Sequence, residues 1–182
     1  MSSPAGQPPT TMTAVTARAY GGPEVLANET VPVPTPQAGE LLVEVRASSL
    51  NALDWHFLTG TPYLMRLMFG MRRPKRFVRG ADVAGVVVDV GEGVTRFAVG
   101  DPVFGEVVEG FQWRNGGTFA QYVNAPEAAL ERIPDGVSFV EAAAVTTSAL
   151  IALFTVRNEA KVQPGERVLV NGAAGIRSWR ST

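Results

Sequence analysis

One short stretch near the end of the sequence constrains the fold more than any other. Residues 167–171 read RVLVN, an apolar run that is typical of a strand buried on both faces of a parallel sheet. The next four residues are all small: Gly172, Ala173, Ala174 and Gly175. Small residues permit a sharp turn and the close approach of a ligand. A strand followed by such a turn indicates the start of a dinucleotide-binding βαβ unit, whose next helix would hold the pyrophosphate.

The residues after this turn do not continue that pattern. Residues 176–182 read IRSWRST, which contains no further glycine and no helical periodicity. The charged residue that would read the adenosine ribose, about 20 positions further on, is also missing, so the sequence does not distinguish NAD from NADP. We therefore predict that the unit is truncated, with a frameshift or premature stop as the leading explanation, and that residues 176–182 are an unrelated tail.

The preceding residues predict a β-rich domain. Short apolar runs alternate with turns that contain glycine or proline, a pattern typical of a compact barrel. The Ala- and Leu-rich residues 137–160 predict a helix, with Ser138 as the N-cap and Glu141 completing a capping box. Residues 1–13 are polar and proline-rich and predict a disordered tail. The predicted strands are residues 14–20, 25–31, 41–47, 82–90, 103–108 and 117–123.

Composition excludes several classes of function. The 182 residues include no cysteine, which rules out disulfides, thiolate metal sites and cysteine nucleophiles. The net charge of −1 gives no general attraction to nucleic acid or to anionic membranes. No uninterrupted apolar run approaches the roughly 18 to 20 residues that span a bilayer. We therefore expect a cytoplasmic protein with a small-molecule partner and with neither a nucleic-acid nor a membrane partner.

Several short motifs follow one another in an informative order. They are NALD at 51–54, GADVAGVV at 80–87, GDPV at 100–103, GGTFAQY at 116–122 and VLVNGAAG at 168–175. Over about residues 14–175 the chain thereby resembles the medium-chain dehydrogenase/reductase superfamily, in its zinc-free quinone oxidoreductase-like branch. The resemblance implies a GroES-like catalytic domain at 14–134, a partly open β-barrel. Residues 135–175 would form a C-terminal connecting helix and the first strand of an incomplete Rossmann α/β domain.

The metal ligands of the zinc-dependent relatives are missing here. In those relatives a cysteine and the histidine of a Gly-His-Glu triplet bind the catalytic zinc, and the matching positions are Asn51 and Ala81. Asp82 alone cannot hold a catalytic zinc, because such sites need about three protein ligands. The resemblance therefore implies no zinc. It implies hydride transfer from NADPH or NADH to a quinone or an α,β-unsaturated carbonyl, with hydrogen-bond donors stabilising the charge that develops on oxygen.

By the same resemblance, Asn51, Asp54 and His56 are the catalytic residues of the cleft, near the nicotinamide and its ribose. Asn51 has both a donor and an acceptor and could orient the cofactor or the acceptor carbonyl. Plainer alternatives remain open. Asn51 and Asp54 are residue types that cap helices, and a lone histidine is often a structural hydrogen-bonding residue rather than a proton donor.

The cofactor-binding residues implied by the resemblance are Asn51, Thr146, Thr147 and the four small residues at 172–175. Each threonine could instead bond back to the preceding helical turn. The basic stretch 66–79 could steer a phosphate or an acidic substrate, although a solvated loop is the plainer interpretation. We expect a weakly active or inactive oxidoreductase. The alternative is a non-catalytic GroES-like scaffold or small-molecule binding module, and a homodimer is a further open option.

Overall fold

The computed structural model describes residues 8–75, 77–107 and 117–170. The predicted turn at 172–175 and the tail at 176–182 lie outside the described residues. The strands in the described part are β1 (Thr11–Ala17), β2 (Leu26–Pro32), β3 (Glu40–Ala47), β4 (Asp82–Val90), β5 (Pro102–Glu106), β6 (Tyr122–Pro126) and β7 (Leu130–Arg132). The α-helices there are α1 (Ala52–Thr59), α2 (Met65–Phe69) and α3 (Phe139–Phe154).

A five-stranded antiparallel sheet forms the centre of the molecule, in the order β6-β3-β4-β5-β7. Strands β1 and β2 form a separate antiparallel pair. Single bridges join β1 to other parts of the chain, from Ala14 to Ala120 and from Thr16 to Val78. The larger sheet stays open, with β6 and β7 at its edges. The predicted β-rich fold with a partly open sheet and a C-terminal helix is confirmed.

The core lies against one face of this sheet because alternate residues of a strand point to the same side. Leu41 and Val43 of β3 are fully buried, as are Val83 and Val87 of β4. The central strands also approach each other closely at Gly85. A Cβ atom there would lie 2.1 Å from the carbonyl oxygen of Glu44, so no larger residue fits without moving the backbone.

Two predicted strand boundaries were wrong, and one strand was missed. Strand β1 begins at Thr11, inside the predicted tail, because it pairs with β2 along its whole length. Strand β6 begins at Tyr122 rather than at Gly117, since Gly117 packs against the backbone of Arg79 instead of joining the sheet. Strand β7 was missed, since it has only three residues.

The strand predicted at 167–171 is also not observed. Residues 167–170 have no regular secondary structure, and Val168, Leu169 and Val170 are exposed. A parallel strand needs a hydrogen-bonded neighbour, and none of the described strands pairs with this segment. Asn171 lies outside the described residues.

Helix α3 begins as predicted, in a capping box. The Glu141 carboxylate accepts the Ser138 backbone N–H at 2.9 Å, and the Ser138 hydroxyl accepts the Glu141 N–H at 3.3 Å. Ala142 and Ala143 then pack against Ala84 of β4. These contacts fix one face of α3 on the sheet.

The opposite face of α3 is apolar and exposed, including Leu150 and Leu153. Together with a π-helical turn at Thr155–Glu159, the helix is 21 residues long and apolar enough to cross a membrane by length and composition alone. This helix is not an uninterrupted apolar run, since Glu141, Arg157 and Glu159 lie within it. A single helix of this kind is weak evidence for a membrane span, and this one is bonded to the sheet.

Candidate active site

A buried carboxylate at the start of β4 organises the site. Asp82 has no exposed surface. Its Oδ2 accepts from the Ser49 hydroxyl at 2.5 Å and from Nδ2 of Asn51 at 2.9 Å, and its Oδ1 accepts from the Thr147 hydroxyl at 2.5 Å. A buried charge is tolerated only where hydrogen-bond donors surround it. Asp82 therefore ties the loop before α1, strand β4 and helix α3 into one network.

Sequence reasoning considered Asp82 only as a metal ligand and missed this role. Its three partners, Ser49, Asn51 and Thr147, lie 31 to 65 positions away in the chain, and no local spacing could bring them to Asp82. The available signal was a carboxylate at the head of the apolar segment DVAGVVVDV. A charged residue at the start of a buried strand needs partners from elsewhere.

Asn51 lies at the start of α1 with its side chain held in one orientation. Its backbone N–H is accepted by Oδ2 of Asp54 at 2.8 Å. Its Nδ2 donates to Asp82 at 2.9 Å and to the hydroxyl of Ser49 at 3.3 Å. Because a carboxylate only accepts, the bond to Asp82 fixes which end of the amide is nitrogen. The NH₂ group is thereby directed at Asp82 and Ser49, and the side-chain oxygen Oδ1 faces the Asp54 N–H in the capping box that begins α1.

Asp54 is a buried carboxyl group that exchanges protons close to neutral pH. Burial raises its pKa from 3.8 to about 6, and the charge of Asp82 adds to the increase. The N–H of Asn51 and the guanidinium of Arg79 oppose it. Its Oδ1 has no hydrogen-bond partner. A carboxyl group with this pKa can act as a general acid or base in the physiological range.

Asn51 and Asp54 line a pocket of about 520 Å³ between α1 and the β1–β2 pair. A third polar residue, Arg79, also lines it. The remaining lining residues are apolar: Val15, Leu26, Leu50, Trp55, Leu58 and Phe119. A mostly apolar wall with a few convergent polar groups is typical of a small-molecule site. Asn51 and Asp54 thus begin a helix and face a pocket at the same time, so the two interpretations of these residues do not exclude each other.

Arg79 is the pocket residue that sequence reasoning missed. It was grouped with the basic stretch 66–79 as part of a solvated loop, and for Arg79 that interpretation was wrong, since only 4% of the residue is exposed. Burial lowers its pKa, and its Nε and Nη2 have no hydrogen-bond partner. Arg72 and Arg73 of the same stretch are exposed, as predicted. Composition alone could not separate these arginines.

A larger groove of about 870 Å³ lies between α3 and the β5–β7 edge of the sheet. Its wall is formed mainly by apolar residues such as Leu150 and Leu153, with Thr146 among the few polar ones. We place the candidate site in the smaller pocket despite its size. Three described residues have buried polar atoms without a hydrogen-bond partner: Asp54, Arg79 and Asn124. Asp54 and Arg79 line the smaller pocket, and none of the three lines the groove.

The two threonines have different partners. The Thr146 hydroxyl donates to the carbonyl of Ala142 at 2.9 Å, which is the bond to the preceding turn that the sequence left open. Thr147 instead bonds to Asp82 through its hydroxyl. Their contacts with a cofactor remain predictions, and the other predicted cofactor residues, Gly172–Gly175, lie outside the described residues.

His56 lies apart from the pocket. It is exposed on α1, with its Nδ1 2.9 Å from the carbonyl oxygen of Thr61. It is not among the residues that line the pocket. This arrangement fits the structural alternative, and its catalytic role stays a prediction.

Across the ranges that the structure describes, no group of three or more His, Asp or Glu side chains could hold a metal ion. At the positions that match the zinc ligands of relatives, Ala81 is buried and apolar, and the amide of Asn51 is bonded to Asp82. These two residues do not form a zinc donor set.

Residues 37–135 match the model of the alcohol dehydrogenase GroES-like domain, which is more than half of the chain. The chain belongs to this family. The match begins just before β3 and ends after β7, so it contains the central sheet together with Asn51, Asp54, Arg79 and Asp82. The family therefore accounts for the sheet and for most of the candidate site.

Named relatives show which branch of the family this chain resembles. Quinone oxidoreductase of Sus scrofa is 32% identical over 165 residues, which cover 90% of this chain and 46% of the relative. The chloroplast envelope quinone oxidoreductase homolog of Arabidopsis thaliana is 34% identical over 174 residues, covering 90% and 49%. The predicted membership of the medium-chain dehydrogenase/reductase superfamily, in its quinone oxidoreductase-like branch, is confirmed.

Solved structures agree with this placement. Escherichia coli quinone oxidoreductase, complexed with NADPH, superposes with a TM-score of 0.70 at 25% identity, covering 85% of this chain and 43% of that one. The chain spans about half the length of the relatives that it matches.

Proposed function

We propose that this protein serves in the reduction of quinones, or of α,β-unsaturated carbonyls, by NAD(P)H, and that its pocket holds the electron acceptor. One observation carries the proposal: Asp54, with a pKa of about 6, lies buried at an apolar pocket in a relative of quinone oxidoreductases. An aromatic acceptor suits the walls of Trp55 and Phe119. The pocket volume of about 520 Å³ is within the range of small-molecule sites.

The chemistry needs a proton as well as a hydride. A quinone that takes up one hydride and one proton becomes a hydroquinone, and negative charge develops on the carbonyl oxygen before the proton arrives. The reduced nicotinamide, when bound, supplies the hydride. Asp54 is the described group suited to hold the proton, since its pKa lies near neutrality and its Oδ1 is unpaired.

The residues present fit the nicotinamide end of such a cofactor. Asn51 offers Oδ1 as an acceptor in a fixed orientation, which suits a hydroxyl or amide donor of the cofactor. The Thr147 hydroxyl already donates its proton to Asp82, and what remains for the cofactor there is an acceptor. NADP is the cofactor we propose, because a structural neighbour was solved with NADPH.

The proposed location is cytoplasmic, on the grounds of the absent cysteines and the fit to a reducing compartment. A relative from the chloroplast envelope shows that one compartment does not hold for the whole branch. The bond between Thr147 and Asp82 supports a surface position for α3, because a helix in the membrane could not keep it. The absence of a nucleic-acid partner and the homodimer remain predictions.

The test uses the purified chain, NADPH and naphthoquinone. We expect quinone-dependent loss of NADPH absorbance that falls about tenfold or more in Asp54→Asn, since an amide cannot deliver the proton. Asp89→Asn, a partly exposed carboxylate on β4, is the matched control and should keep the wild-type rate. If the wild type neither bound the quinone nor oxidised NADPH, the proposal would be overturned. Binding without oxidation would favour the second candidate, a small-molecule binding module, which the mostly apolar pocket also suits.

A further inference from the structure

The pocket must offer a hydrogen-bond donor to a carbonyl oxygen, and Asn51 is not that donor. Its amide nitrogen is directed at Asp82, to which it donates at 2.9 Å, and at the Ser49 hydroxyl 3.3 Å away. Asp54 in its ionised form only accepts. Among the described residues that line the pocket, Trp55 has an indole N–H on a half-exposed side chain, and Arg79 is the residue whose unused donors are buried.

The backbone around Arg79 is held tightly in place. Its carbonyl accepts the N–H of Phe119 at 2.8 Å, and Phe119 also lines the pocket. A Cβ atom on Gly117 would lie 2.1 Å from the same carbonyl oxygen, so this close approach requires glycine. The Cα of Arg79 is therefore fixed relative to the pocket wall, and only its long side chain is free to adjust.

The guanidinium is a buried cation with unmet hydrogen-bonding capacity. Its Nε and Nη2 are buried without partners. Within the described residues no carboxylate forms an ion pair with it, although Asp54 is close enough to interact electrostatically. Leaving a buried donor unsatisfied costs free energy, and a charged donor costs more than a neutral one. An incoming oxygen acceptor would remove that cost.

We propose that Arg79 is the specificity-determining donor of this pocket and binds the carbonyl oxygen of a neutral, planar conjugated ketone. The identification of that ketone as a quinone rests on the proposed function. Because both unpaired nitrogens are closed off from solvent, the contact requires rotation of the Arg79 side chain toward the pocket. Arginine, with its four side-chain torsions, has that freedom.

A neutral ligand fits better than an anion because the pocket already contains a carboxyl group, Asp54, that interacts with the guanidinium. Asp54 lines the same pocket, and Asp82 is close enough to Asp54 for their charges to interact. Glu106 faces Asp82 across the β4–β5 ladder, and it experiences the negative charges of both aspartates. The single positive charge of the guanidinium is offset by these acidic groups, so the pocket has no excess positive charge to attract a carboxylate ligand. A carbonyl oxygen receives the hydrogen bond without adding a charge.

Calorimetry without cofactor tests the assignment. We expect naphthoquinone to bind the wild type more tightly than naphthoate, and binding to weaken about tenfold or more in Arg79→Met, which keeps the apolar stem and removes the donors. Arg46→Met, which removes a half-exposed arginine paired with Glu44, should bind like the wild type. The chain has no cysteine, so thiol adducts of the quinone cannot mimic binding.

A second measurement keeps the proposal falsifiable if Arg79→Met does not fold. In the wild type the Nε–Hε resonance of Arg79 should shift on addition of naphthoquinone, with no comparable shift for Arg46. Tighter binding of naphthoate, or an unmoved Arg79 resonance at saturation, would overturn the assignment. Quinone turnover by a protein whose Arg79 does not respond would leave the proposed function standing and refute Arg79 alone. Binding that depends on Arg79 but is not followed by turnover would support the role of Arg79 and refute the proposed reductase function.

Discussion

Asp54 links the stability of the fold to pH. Its pKa is about 6 in the folded protein and 3.8 as an ordinary aspartate, so the folded state holds a proton that the unfolded state has lost. For a group with a raised pKa, the stabilisation is complete below the unfolded value and disappears as pH rises through the folded value. Unfolding free energy should therefore fall between about pH 4 and pH 6, through this residue.

Asp54→Asn should remove that dependence. The amide oxygen can still accept the N–H of Asn51, and no buried charge remains at the site. At pH 7 we expect a gain of about 2 kcal/mol after allowing for solvent screening. Urea unfolding at pH 4 and pH 7 measures it. A variant that is less stable than wild type at pH 7 would show that the Asp54 carboxylate is needed to balance Arg79.

Asp82→Asn should have the opposite effect. An amide in place of the carboxylate would turn an NH₂ group toward donors from Ser49, Asn51 or Thr147. Breaking a buried charged network of this kind costs about 2–4 kcal/mol. Urea unfolding provides the measurement, with Asp89→Asn as a control that should change little. Equal stability of Asp82→Asn and wild type would mean that the network contributes nothing to the fold.

At the scale of residues, local chemistry could be predicted and long-range partners could not. Asn51 and Asp54 are three positions apart, which is the spacing of an N-cap and its N3 residue, so their proximity follows from the sequence. Arg79 is one of several arginines in its stretch, and only its tertiary contacts show that it is buried. Asp82 gains its role from residues 31 to 65 positions away.

The pairing of β3 with β4 depends on a glycine. Gly85→Ala would place a methyl group 2.1 Å from the carbonyl oxygen of Glu44, so the central strands would have to separate. We expect a loss of 3 kcal/mol or more, on the order of a large core disruption. Gly93→Ala is the control, because its Cβ would meet nothing and only its φ of +80° is strained, which costs about 1 kcal/mol. Thermal unfolding should rank the two variants in that order, and the reverse ranking would contradict the packing described for β4.

Elements that are specified by their own local sequence were predicted correctly. The element that depends on pairing with another strand was not. The alternation of β3 and the apolar segment of β4 each specify a strand, and the capping box specifies the start of α3. Residues 167–170 have the composition of a buried strand, but strand structure also needs a partner. Composition alone cannot show whether one is present.

The whole molecule offers two sites to an apolar ligand. The groove beside α3 is larger, at about 870 Å³, and mostly apolar. The pocket beside α1 is smaller but includes Asn51, Asp54 and Arg79. We propose that the smaller pocket is the functional one. Reduction of a conjugated ketone needs a hydrogen-bond donor and a proton source as well as an apolar wall.

A nuclear magnetic resonance titration of the chain with naphthoquinone tests this claim most directly. We predict saturable shifts of the Trp55 indole and of the Leu58 and Phe119 amides, which border the pocket. Leu150 and Leu153 in the α3 groove should remain unshifted. Shifts confined to the two α3 leucines, or no saturable shift at the pocket, would contradict the account.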